Sequence, residues 1–260
     1  SQGLGIGGGT SATSSGAQGG GGTPFANTKS VTFDGVGDYA TFTPGFIAAT
    51  ADYTFSFWLN VNAFPDSSVT LPISEINGPN LRLHADNDVT FESIGQPAWG
   101  VKEIITGGSE DTWYHIAVVK QANVPSGSST FTYYVAGSSV GTYVNGTVAA
   151  TYAFGNVGGT PGIVYLGRYA SSSGYFANVL IDEMAIFTSA LDATAISGIW
   201  GGGTPSSLST LAPRNWYRMG DGASVGGTSD SASTVYDMGA SKGTTTDMTL
   251  VTAAYSTDVP

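Results

Sequence analysis

Tyr53-Thr54-Phe55-Ser56-Phe57-Trp58-Leu59-Asn60-Val61 is the stretch on which the reading of the fold turns. Phe55 and Phe57 stand two residues apart among aromatic and β-branched neighbours. That is the spacing of a strand with one face toward a core. The same texture extends outward from this stretch. It is found at residues 30–34, 39–43, 71–76, 81–84, 89–93, 113–120, 131–135, 141–144, 147–152, 162–166 and 179–187. Turn-forming pairs punctuate these runs: Asp34-Gly35, Asn77-Gly78, Asn145-Gly146 and Gly158-Gly159. Many short, evenly spaced strands predict an all-β sandwich or barrel. Phe33, Phe55, Phe57, Val118 and Ile186 fall at alternating positions and are expected to face between two sheets.

One short helix is expected. Asp192 can cap residues 193–200, Ile196 and Trp200 lie one turn apart, and Gly201 stands where a helix stops. Gly201-Gly202-Gly203-Thr204-Pro205 then reads as a connector. Residues 211–260 contain three short strand-like runs, too few for a sandwich of their own. They are expected to complete the first one, giving a single domain over residues 29–260.

Residues 1–28 differ in kind. Gly7-Gly8-Gly9 and Gly19-Gly20-Gly21-Gly22 sit among Ser, Thr, Ala and Gln, with too little apolar surface to offset the entropy of ordering. Leu4, Ile6 and Phe25 are the large apolar side chains of this arm. Glycine on either side lets the backbone lie close to a partner. An assembly arm anchored through these three residues is therefore expected. Ser1-Gln2-Gly3-Leu4-Gly5 has neither a basic start nor an apolar run, so an extracellular role is expected to depend on lysis or on assembly into a particle.

Composition narrows the function classes. The 260 residues include no cysteine, only 10% charged residues, and 8 basic against 19 acidic side chains, for a net charge of −11. Four lysines and four arginines do not make a phosphate-tracking stripe, so no nucleic-acid partner is expected. No membrane insertion is expected either, because no apolar run approaches the length of a span. Disulfides and thiolate metal sites are excluded.

The ordered set of motifs carries more than any one of them. It runs Ser30-Val31-Thr32-Phe33-Asp34-Gly35 with Asp38-Tyr39-Ala40, then the two stretches beginning at Tyr53 and Trp113. Tyr143-Val144-Asn145-Gly146, Val164-Tyr165-Leu166-Gly167-Arg168 and Ile181-Asp182-Glu183-Met184-Ala185-Ile186-Phe187 follow. Over residues 30–200 this set resembles the concanavalin A-like lectin/glucanase superfamily, in its laminin-G-like or pentraxin-like form. The resemblance implies a two-sheet antiparallel jelly-roll sandwich with one short helix, here preceded by an extended Gly-rich arm. Trp216-Tyr217-Arg218-Met219-Gly220-Asp221-Gly222 looks like a segment with which such domains often begin, yet it lies near the end of this chain. Phage particle proteins with laminin-G-like domains look similar. That likeness implies a virion structural protein (capsid decoration, fibre or tail-associated) on the particle surface. It would join other virion proteins, and copies of itself, through residues 1–28, and would adhere to host-surface glycans. A free-standing lectin module and a glucanase-like hydrolase are the alternatives.

The candidate chemistry is sparse. The glucanase branch uses clustered acids, commonly Glu-x-Asp-x-Glu on one strand. None of Glu75, Glu92, Glu103, Glu110 and Glu183 stands in that pattern. Asp182 and Glu183 are adjacent, so a regular strand would send them to opposite faces. His115, inside an apolar run, reads as a packed and hydrogen-bonded side chain rather than a base. No catalytic residue is expected. The resemblance makes calcium the one cofactor to consider, with Asp34, Asp38 and Asp182 as candidate ligands. Trp99, Tyr169, Tyr175 and Phe176 lie in Gly/Ser-rich stretches and are the candidate glycan-stacking residues.

Overall fold

The computed structural model describes residues 25–44, 51–75, 80–93, 100–123, 128–145, 152–153, 156–157, 160–170, 174–242 and 246–260. Leu4, Ile6 and Trp99 lie outside them. The strands of the first half are β1 (Ser30–Asp34), β2 (Tyr39–Phe42), β3 (Tyr53–Ala63), β4 (Thr70–Glu75), β5 (Asn80–Leu83), β6 (Val89–Ser93) and β7 (Gly100–Ile105). Then come β8 (Trp113–Asn123), β9 (Ser128–Val135), β10 (Ser138–Asn145), β11 (Tyr152–Ala153), β12 (Asn156–Val157), β13 (Thr160–Pro161) and β14 (Val164–Leu166). The rest of the chain gives β15 (Asn178–Phe187), α1 (Ala193–Trp200), β16 (Asn215–Tyr217), β17 (Thr234–Val235), β18 (Met248–Val251) and β19 (Ala254–Ser256).

The strands form two antiparallel sheets packed as a jelly-roll sandwich. The first runs β10-β9-β8-β3-β15-β1-β19, with β16 also paired to β15; the second runs β17-β18-β2-β14-β4-β5-β6-β7. Phe33, Phe55, Phe57, Val118 and Ile186 all enter the apolar layer between the sheets, as their alternation predicts. A second apolar cluster covers the outer face of the first sheet. There Ile196 and Ile199 of α1, with Leu208 and Trp216, pack on Ala117, Val119, Tyr134, Ala185 and Phe187. The helix has the predicted limits. Asp192 caps it by accepting a hydrogen bond from Ala195 N at 2.8 Å, and Gly201 ends it at φ +61°.

One turn and one strand fall where the sequence reading does not mark them. The β9–β10 hairpin closes at Ala136-Gly137, with φ of +48° and +74°, whereas Asn145 ends β10 and Gly146 lies outside the described residues. A side chain at Gly137 would come within 2.8 Å of the Trp200 ring, so glycine is what lets the helix pack over this turn. β7 was not anticipated at all; its centre is the charged pair Lys102-Glu103, and it forms the edge of the second sheet.

The C-terminal strands enter both sheets. β16 pairs with β15, β19 with β1, and β18 lies between β17 and β2. They bring Tyr217, Met219, Val235 and Met248 into the shared core. Each such burial is worth about 1.5–3 kcal/mol, against a total stability of about 5–15 kcal/mol. A chain ended at Gly203 is therefore expected to lose cooperative thermal unfolding by circular dichroism. An unchanged melting curve would show that these strands are dispensable.

Candidate functional site

Over β2 and β14 the outer face of the second sheet carries partly exposed aromatic side chains. Along β2, β14 and β5, Ala40, Phe42, Val164, Leu166, Leu81 and Leu83 turn into the core. The alternate residues Tyr39, Tyr165 and Arg82 are left partly exposed on the other side. Gly167 follows β14 at φ +80°, where a Cβ would sit 2.5 Å from the Phe33 ring. Only glycine allows the chain to turn there. Its N–H donates to the Pro72 carbonyl at 2.8 Å and its carbonyl accepts from Ala177 N at 2.9 Å. The turn delivers Arg168 onto the sheet face, with its guanidinium carbon 4.1 Å from the Tyr39 ring centroid and 4.7 Å from that of Tyr165.

The next residue opens a cleft. Tyr169 and Tyr175 meet edge to face with centroids 5.9 Å apart. Tyr175 sits at φ +59°, an uncommon conformation for a bulky residue, and is 50% exposed. Its carbonyl accepts from Leu71 N at 3.1 Å, which fixes the loop against β4. The two rings, with Val69, Leu71 and Arg82, line a cleft of about 210 Å³. A shallower depression of about 470 Å³ adjoins it, sharing Val69 and lined otherwise by Ser67, Ser68, His84, Ala85 and Asp86. Arg82 is ion-paired to Glu92 at 2.8 Å. The structure thus brings Tyr169 and Tyr175 together, whereas the partly buried Phe176 lines neither depression. Sequence reasoning missed Arg82, Arg168, Tyr39 and Tyr165. The available signal was alternation, which puts each tyrosine on the outer face of its own strand.

The candidate calcium ligands do not converge. Asp34 Oδ1 accepts the amides of Val36, Gly37 and Asp38 at 2.8, 3.1 and 3.4 Å. It is an Asx turn, and those amides, Val36 first, hold its carboxyl below the usual range. Asp38 lies just beyond that turn. Asp182 is far along the ladder, since Asp34 pairs with Asn178 and Val31 with Ile181. It is buried, with Oδ2 accepting from Asn27 Nδ2 at 2.8 Å and Oδ1 from Glu183 N at 2.7 Å. With Asp34 engaged by its own turn and Asp182 sealed elsewhere, these residues do not fit one shared ion. Among the described residues no group of three His, Asp or Glu is arranged to hold a metal.

Asp182 and Glu183 do not point to opposite faces as a regular strand would send them. β15 is bulged between Asp182 and Ala185, and Glu183 has φ +43°. Ile181 and Met184 on either side both enter the core, so the two carboxylates share the outer face. Glu183 accepts from Trp216 Nε1 at 2.6 Å and from Arg218 Nε at 3.0 Å. The segment that begins at Phe25 covers this spot. Phe25 stacks on Trp216 with centroids 6.3 Å apart, Arg218 donates to the Ala26 carbonyl, and Asp221 accepts from Thr28 N and Oγ1 at 2.6 and 2.5 Å. Phe25, expected to anchor the arm on a partner, is packed here on its own sandwich. His115 is buried, hydrogen-bonded through Nε2 to Ser56 Oγ at 2.9 Å, and lowered to about 4 by burial. It is a neutral packing residue.

The family model described as "Concanavalin A-like lectin/glucanases superfamily" matches residues 34–197. A solved structure described as that of a "putative carbohydrate binding protein" from Bacteroides ovatus matches with a TM-score of 0.60 and 16% identity, covering 90% of this chain. This chain spans 60% of the length of that protein. A heptameric SAP-like pentraxin from Limulus polyphemus matches with a TM-score of 0.49 and 14% identity, over 67% of this chain and 82% of that one. No curated protein matches the sequence. At these identities the structural likenesses show the fold alone.

The buried acid pair generates a test. Burial, then the Glu183 charge, raises the Asp182 carboxyl. Burial pushes Glu183 up to about 7 against the opposing pull of Arg218 and Trp216. Carboxyls raised in the folded state contribute stability that is complete below their unfolded range near ~4 and lost as pH rises through about 7. The melting temperature is expected to fall by a few degrees between pH ~5 and ~8. Asp182→Asn is expected to flatten that decline. An equally steep decline in the variant would show that the pair does not cause it.

Proposed function

We propose that this chain, which belongs to the concanavalin A-like lectin/glucanase superfamily, is a non-enzymatic glycan-binding module whose site is the Tyr169–Tyr175 cleft. One observation carries the reading: Tyr175 is held half-exposed in a left-handed backbone conformation, its ring against Tyr169 at the mouth of a cleft flanked by Arg82. Aromatic rings present flat apolar faces to the C–H faces of sugars, and the neighbouring Arg82, Ser67 and Ser68 supply donors for hydroxyls. The likeness in fold to a structure described as carbohydrate binding supports this reading.

Catalysis is not part of it. The adjacent acid pair of β15, Asp182 and Glu183, is buried under Asn27, Trp216 and Arg218 on the other sheet, where no saccharide reaches it. No reducing-sugar release from laminarin, agar, carrageenan or mixed-linkage glucan is expected. Release that disappears in Glu183→Gln would overturn the non-enzymatic reading.

On a glycan array the wild-type chain is expected to bind a restricted set of saccharides. Tyr175→Ala and Tyr169→Ala are each expected to weaken that binding by about tenfold or more, with the melting temperature little changed. Binding is expected to survive EDTA, because among the described residues no metal-holding group of acids or histidines is found: Glu92 is engaged by Arg82, and Asp86 lines only the adjoining depression. Full binding by both alanine variants would remove the cleft from consideration.

A second reading concerns where the module is displayed. We infer that it is carried on a virion, as a capsid decoration, fibre or tail-associated protein, with residues 1–24 reaching into neighbouring particle proteins. The supporting observation is that residues 25–30 are stitched to the domain by Trp216, Arg218, Asp221 and Asp258, which gives the Gly-rich segment a fixed root. Deletion of residues 1–24 is expected to leave folding and glycan binding intact while abolishing particle incorporation. Normal incorporation of the shortened chain would refute the assembly role.

A further inference from the structure

In a chain of net charge −11 with four arginines, two of them, Arg82 and Arg168, stand on the tyrosine face. They are held differently. Arg82 is paired with Glu92, whereas no carboxylate of the described residues lies within ion-pair distance of Arg168. Tyr39 and Tyr165 occupy the face of the Arg168 guanidinium at 4.1 and 4.7 Å. Stacking satisfies the flat side of a guanidinium but none of its five N–H donors, which lie in the plane. The Arg168 Nε is buried and has no hydrogen-bond partner among the described residues. Arg168 as a whole is partly exposed, and a guanidinium laid over two rings with no carboxylate beside it is preorganised to offer its terminal nitrogens to a planar, two-pronged acceptor. Its chain neighbour Tyr169 forms the wall of the cleft.

We propose that the cleft takes an acidic saccharide, with the carboxylate or sulfate group on the in-plane N–H donors of Arg168 and the sugar ring against Tyr169 and Tyr175. This rests on the cleft being the glycan site and adds the chemical class of the ligand. The pairing with Glu92 makes Arg82 a weaker anion partner, so Arg168 carries the preference.

Matched ligands test it on the wild-type chain by calorimetry. Oligogalacturonate is compared with its carboxyl-reduced form, and sulfated carrageenan oligosaccharides with their desulfated forms. The acidic member of at least one pair is expected to bind about tenfold tighter or more, with an advantage that shrinks as salt rises. The pair that shows it tells carboxylate from sulfate. Arg168→Gln is expected to erase the difference between members, and Arg168→Lys to restore part of it. Should Arg168→Gln fail to fold, the wild-type pairs and their salt dependence still decide. Equal affinity within both pairs, with binding still lost in Tyr175→Ala, overturns the acidic preference and leaves the glycan site standing. A preference that persists in a folded Arg168→Gln places the anion elsewhere and also overturns it. Binding of neither member of either pair overturns the inference, and a glycan array on which nothing binds overturns the site with it.

Discussion

The bulge at Asp182–Glu183 is the constraint on which the arrangement of the chain depends. β15 pairs along one edge with β3, and along its other edge with two strands in succession: β1 over residues 178–181 and β16 over residues 184–186. The bulge lies between those two pairings. The chain therefore enters the sheet at β1 and rejoins it at β16 from the same edge, with a gap where the two strands part. The two carboxylates fill that gap. Each is answered from a different side, Asp182 by Asn27 on the incoming segment and Glu183 by Trp216 and Arg218 on the later one. Acids this buried persist only where donors surround them. The segment resembling a domain start can thus sit late in the sequence, because β15 accepts both strands side by side.

The two outer faces of the sandwich differ for the same reason. Rejoining at β16 carries Trp216 onto the outer face of the first sheet, beside α1, Leu208 and Phe25. That face becomes a second apolar layer. Among the described residues no such apolar layer covers Tyr39, Tyr165, Arg168 and Tyr175 on the other sheet, and these side chains remain partly or half exposed. The proposed glycan site lies on this second face, where exposed aromatic rings are left over from packing.

Much of this architecture was legible in the sequence, and the exceptions have physical causes. Alternation marked β1, β6, β18 and the core phenylalanines because one side of each strand faces the apolar layer between the sheets. β7 was missed because Lys102 and Glu103 occupy its centre; charges belong on an edge strand, where they discourage further pairing. The β9–β10 turn was missed because Ala136 takes a positive φ that alanine rarely adopts. Adjacency alone sent Asp182 and Glu183 to opposite faces, and only the bulge puts them together. In the site, Tyr169 and Tyr175 were visible as aromatics in loop-like sequence. Arg168 was not, because its partners Tyr39 and Tyr165 come from β2 and β14, distant in sequence and neighbours only once the strand order is known.

The positions of arm and cleft follow from the same geometry. Phe25 packs with Trp216 in the apolar layer on the outer face of the first sheet. The tyrosine cleft opens on the outer face of the second. Two sheets of a sandwich stack about 10 Å apart, back to back. The Gly-rich segment therefore starts from the side of the domain away from the cleft. The stitches at Asp221 and Arg218 set this orientation, because they fix residues 26–29 to the domain before the glycine-rich sequence begins.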